Sequence, residues 1–115
     1  MNIYALSTGP GISGIAVIRI SGGETSKIIN ILTGKPVPKP RVATLRKINK
    51  INTSELIDEG LILWFPAPES YTGEDMAEIH IHGSKAVVDA LHSSLSDIEN
   101  CRLAEPGEFT KLAFQ

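Results

Sequence analysis

One cysteine, Cys101, is all that the sequence contains. Without a second thiol there is no internal disulfide and no cysteine-based zinc site, and this composition fits a reducing compartment. Aromatic residues make up only 5% of the chain, so the core has to be built from aliphatic side chains. No apolar run approaches the ~20 residues of a membrane span, and the opening MNIYALSTG lacks the basic stretch of a secretory signal, so a cytoplasmic protein with no membrane partner is expected. An excess of positive charge is missing as well. The 11 Lys and Arg against 13 Asp and Glu leave a net charge of -2, which argues against a broad basic surface able to hold a nucleic-acid backbone unaided. No G-x-x-x-x-G-K-[ST] occurs, which excludes P-loop nucleotide hydrolysis within this stretch. Internal repeats and low-complexity segments are absent too.

What is present is enough for a core: 42% of the 115 residues are apolar, the size and content of one domain spanning 1–115. Ile3 to Leu6 reads as an edge-type strand running into Ser7-Thr8-Gly9-Pro10-Gly11. Gly9, Gly11 and Gly14 have dinucleotide-fingerprint spacing, but the β-branched run Ile15 to Ile20 follows where that fingerprint needs a helix. The glycines are therefore a strand-to-strand turn. Ser21 and Glu24 have capping-box spacing, and Ile28, Ile31 and Leu32 share a helical face that Gly34 ends. The proline-rich KPVPKP at 35–40 is an extended connector. Val42 to Ile48 and Ile57 to Phe65 predict a hairpin, the second strand apolar on both faces and hence central and covered on both sides. Ser84 caps a helix carrying Val87, Leu91, Leu95 and Ile98; Cys101 to Ala104 is a short strand; Phe109 begins a last helix that runs to Gln115 with no stop signal, as in a fragment cut from a longer protein. The expected order is β-β-α-β-β-β-α-β-α, an α+β fold with a mixed sheet or partial barrel and two to three helices.

The stretch with chemistry in it is Phe65 to Gly83, a loop punctuated by Pro66 and Pro68 that feeds a short strand. Strand side chains alternate, so Ala77, Ile79 and Ile81 face the core while Glu78, His80 and His82 form a polar row with a spacing of about 6–7 Å. A metal centre is one reading of that row, but residues two apart on a flat strand do not converge on one ion, and His92 is the only other histidine. Nucleophilic catalysis lacks a serine or cysteine with a base at recognisable spacing. A planar heterocycle fits better: a half-buried carboxylate accepts two parallel N–H bonds from a guanidine-like edge, and a nearby arginine answers carbonyl or carboxylate oxygens. Glu78 and Arg19 are the two residues of that kind. For Arg19 a plain alternative stands beside this, a strand residue with its stem packed and its head in water.

The stretches IYALSTGPGISGIAVIRISG, WFPAPESYTGEDMAEIHIHG and RLAEPGEFTKLAF, in this order, resemble the N-terminal domain of the tRNA-modification GTPases MnmE/TrmE over almost the whole chain. The resemblance implies a fold like the folate-binding part of the glycine-cleavage T protein, homodimerisation, and binding of 5-formyl-tetrahydrofolate as a one-carbon donor. It implies that the helical and GTP-binding domains lie elsewhere in a longer protein. That protein would be a GTPase using GTP, magnesium and potassium, working with the flavoprotein MnmG on the wobble uridine of certain tRNAs. Carried over by position, the folate contacts are Arg19 of VIRISG and Glu78 after SYTGED, with no catalytic residue and no metal ligand. A third family contact, a lysine just past Ala113-Phe114, would fall beyond Gln115. The family often pairs two glycines after the histidine where this chain has Gly83-Ser84. The competing expectation is a pure dimerisation module with no ligand, in which Arg19 and Glu78 pair across the subunit interface.

Overall fold

The computed structural model describes residues 1–7 and 14–115. The elements follow the expected order: β1 (Asn2–Leu6), β2 (Ile15–Ser21), α1 (Thr25–Thr33), β3 (Thr44–Asn49), β4 (Leu56–Phe65), β5 (Met76–His82), α2 (Lys85–Ser96), β6 (Cys101–Leu103) and α3 (Glu108–Ala113). The glycine turn at Gly9 and Gly11 lies outside the described residues.

The strands form one open six-stranded sheet in the order β3-β4-β5-β2-β1-β6. All neighbours are antiparallel except β1 and β6, so the sheet is mixed and the fold is α+β. The parallel pairing with β6 corrects the reading of β1 as an edge strand. The edges are β3 and β6.

Both long helices serve the same face. Ile28, Ile29 and Leu32 of α1 and Leu91 and Leu95 of α2 join Ile18, Ile20, Ile62 and Ile79 of the sheet in one buried cluster. The alternation of β5 explains which residues go there: Ala77, Ile79 and Ile81 are buried while Glu78 and His80 are half-buried and His82 is exposed. Strand β4 departs from expectation for the same reason. Ile62 and Trp64 are buried under the helices, but Leu61 on the other face is 39% exposed, so β4 is covered on one side only.

The helix ends divide. Ser84 accepts the Val87 N–H at 3.3 Å and caps α2, and Gly34 ends α1 in the left-handed region at φ 72°. The capping box at Ser21 does not form, because α1 begins at Thr25 and the Ser21 hydroxyl is buried against the Thr72 hydroxyl at 2.8 Å. That bond ties β2 to the loop leading into β5.

Candidate functional site

The uncovered face of the sheet carries a cluster of charged groups. Arg19 on β2 and Glu78 on β5 are register partners, and partners across antiparallel strands project to the same side. The Arg19 Nε–H donates to Glu78 Oε2 at 3.3 Å, and His80 Nε2 donates to Glu78 Oε1 at 3.0 Å. Among the described residues each carboxylate oxygen therefore has one protein donor, and it retains acceptor capacity for a ligand N–H. The Glu78 side chain is 20% exposed, buried enough to strengthen a charge-assisted bond and open enough to be reached. The Arg19 guanidinium also lies 5.5 Å from the centroid of the Tyr71 ring, a cation–π contact that fixes its direction.

Two backbone features hold this cluster in place. On β4, Gly60 lets the His80 carbonyl come so close that a Cβ there would stand 2.1 Å from the oxygen. At the end of β5, His82 bonds Asp58: its backbone N–H and Nδ1 both meet the carboxylate, each at 2.9 Å. Burial opposes the ionisation of Asp58, but those two bonds and one from the Glu59 backbone outweigh it and hold the carboxyl below its ordinary value. The polar row is thus divided. Glu78 and His80 act with Arg19, whereas His82 is turned to Asp58 and leaves the cluster. Among the described residues no three His, Cys, Asp or Glu side chains are placed to hold a metal ion.

Beside Arg19 a cleft of about 530 Å³ opens between β1, β6 and the start of α3, with Ala5, His92, Leu103 and Phe109 in its lining. Glu78 does not line it, so Arg19 is the link between the carboxylate and the cleft. His92 is a group that the sequence alone did not single out for this place. Its ring stands 5.4 Å from that of Tyr4, and its Nε2 is buried without a partner among the described residues. Burial pushes the His92 imidazole below its usual range, against a weaker opposing pull from Asp89. The cleft's far wall is stiffened by Arg102, which grips Glu108 with two bonds of 2.8 and 2.6 Å and, with the Glu105 N–H, draws that carboxyl down to about 2.

Besides His92, Tyr71 and the Asp58 partner of His82 went unread in the sequence. Tyr71 was visible only as part of a loop, and its position over Arg19 joins residues 52 apart in the chain. The Asp58–His82 pair gave no short-range signal either, since its partners sit on different strands.

A family model described as GTP-binding protein TrmE N-terminus matches residues 2–115. Over 115 residues the chain is 78% identical to the tRNA modification GTPase MnmE of Pelagibacter ubique, covering 100% of this chain and 26% of that protein. It is 51% identical over 113 residues to the protein of that name from Maricaulis maris, 98% of this chain and 25% of the relative. With the mitochondrial tRNA modification GTPase mss1 of Schizosaccharomyces pombe it shares 50% identity over 114 residues, covering 97% and 23%. The chain spans about a quarter of the length of these curated relatives.

Proposed function

The chain belongs to the TrmE N-terminal family, and on that premise we propose that it is the part of a tRNA-modifying GTPase that holds a reduced folate and pairs with a second copy of itself. The observation that carries this reading is the Arg19–Glu78–His80 cluster on the uncovered sheet face. A pterin offers a row of adjacent N–H groups, and Glu78 accepts two of them while His80 and Arg19 keep its carboxylate oriented. Arg19 answers the ligand's oxygens, and the rest of the molecule runs along it toward the adjoining cleft. The ligand proposed is 5-formyl-tetrahydrofolate, supplying a one-carbon unit. GTP, with magnesium and potassium, belongs to parts of the longer protein outside this chain, as do the contacts to MnmG.

The competing reading, dimerisation without a ligand, asks Arg19 and Glu78 to pair between subunits. Within this chain they already face one another at 3.3 Å, so their juxtaposition needs no second copy. Calorimetric titration of 5-formyl-tetrahydrofolate separates the two. Glu78→Gln puts an NH2 donor against the ligand's own N–H groups, and bonds to charged groups are worth roughly 1.5–3 kcal/mol, so affinity should fall about ten- to a hundredfold with the fold intact. Arg19→Ala should weaken the same ligand. Full affinity in Glu78→Gln removes the carboxylate from the site, and no heat with wild type leaves the dimerisation module standing.

A further inference from the structure

The cations of this chain are segregated. From Thr25 to Ser54 there are seven Lys and Arg and not one Asp or Glu, while the rest of the chain carries four cations against all 13 acids. The net charge of -2 is the sum of a strongly basic segment and a strongly acidic remainder, and it conceals both.

The fold brings four of those seven cations, Lys35, Lys39, Arg46 and Lys47, to one edge, while Lys27 and Lys50 pair with Glu24 and Glu55. Strand β3 is outermost in the sheet, Lys35 follows the end of α1, and Lys39 lies in the connector between them. Lys35, Lys39 and Lys47 are exposed, and among the described residues neither they nor Arg46 enter an ion pair. Thr33, Lys35, Arg46, Lys47 and Asn49 line a groove of about 420 Å³ around the strand, with Glu59 its one acid. Among the described residues Arg46 Nε is buried there without an acceptor, and its Nη1 reaches the neighbouring Leu45 carbonyl.

Lysines on an edge strand also deter edge-to-edge pairing, and that accounts for Lys47. It does not account for Lys35 and Lys39, which lie off the strand, or for the exclusion of acids from thirty consecutive residues. We propose that this edge, centred on Lys35, Lys39, Arg46 and Lys47, is a docking surface for the phosphate backbone of a folded RNA. Exposed lysines are depleted at protein–protein interfaces, whereas phosphate contacts are made by such flexible cations and position a nucleic acid without reading its sequence. The surface is two strands from Glu78, so RNA and a small ligand on the β2–β5 face do not compete for the same groups. This inference rests on the RNA-directed part of the function proposed above and is independent of its folate part.

The test is fluorescence anisotropy of a labelled, unmodified tRNA transcript titrated with the full-length protein at several KCl concentrations. The quadruple variant Lys35→Gln, Lys39→Gln, Arg46→Gln, Lys47→Gln is compared with a control carrying Lys27→Gln, Lys85→Gln and Lys111→Gln. Each lost phosphate contact removes about 0.7–0.9 from the slope of log K against log salt, so the quadruple variant should lose roughly 3 in slope and at least about tenfold in low-salt affinity. The control should keep the wild-type slope, and both variants should keep the wild-type melting temperature and folate titration. A quadruple variant that binds tRNA like wild type overturns the proposal, as does a control that loses as much per charge. Wild type that does not bind tRNA at all overturns the RNA-directed reading and this inference together.

Discussion

Gly60 is where a single hydrogen atom decides the geometry of the site. A Cβ at that position would lie 2.1 Å from the His80 carbonyl oxygen, so Gly60→Ala has to move β4 away from β5 beside the residue that orients Glu78. Overpacking of this kind costs about 1–3 kcal/mol. The unfolding free energy from urea denaturation should fall by that amount, read as a lower midpoint with the slope unchanged, and a wild-type midpoint would show that the strands separate freely. His92 acts through protonation. Its folded imidazole is held neutral by burial, so the unfolded chain binds the proton more readily. Stability is therefore full above the ordinary imidazole value of about 6.5 and declines as pH falls below it. Asp58, whose folded value is lowered, adds a loss of the same sign in stronger acid, as pH drops from about 3.9 toward that lower value. The melting temperature should fall between pH 7 and pH 5, and His92→Leu should flatten that decline; an unchanged slope in the variant would assign it to another group.

At the scale of elements the two serines make opposite tests. Ser84→Ala removes the bond to Val87 N–H and should cost about 0.5–2 kcal/mol, read as a lower melting temperature. Ser21→Ala removes no helix cap. It strips the buried Thr72 hydroxyl of its closest partner, so hydrogen exchange should accelerate in the 66–75 loop and not in α1. Faster exchange confined to α1 would restore the capping box. These two sites also mark how far the sequence can be read. The order of elements was legible because period-two and helical apolar patterns are local, as at Met76 to His82 and at Val87, Leu91 and Leu95. Arg19 stood out because it interrupts an apolar strand with a charge, and Glu78 because it belongs to the polar face of an alternating one. What a pattern omits is the partner. The parallel match of β1 to β6 joins Asn2 to Cys101, and the choice of Thr72 over a helix N-terminus for Ser21 depends on a loop fifty-one residues away. The apolar pattern of β4 was the same on both faces, and only the path of both helices over one side decides that Leu61 stays uncovered.

For the whole molecule, the division of the sheet into a helix-covered face and an open one organises the rest. The open face carries Ile15 and Leu61, both exposed, beside the Arg19–Glu78–His80 cluster, and a second copy is the partner proposed to cover them. Sedimentation at micromolar concentration should give the mass of a dimer, and monomer throughout would contradict that part of the proposal. The cluster itself is tested most directly by nuclear magnetic resonance. In labelled protein titrated with 5-formyl-tetrahydrofolate, the Arg19 Nε–H signal and the backbone amides of Arg19, Glu78 and His80 should shift together and saturate, while Ile29 and Leu32 on the covered side of the sheet stay in place. Saturating shifts confined to residues away from β2 and β5, or none at any ligand concentration, would contradict a folate site on this face.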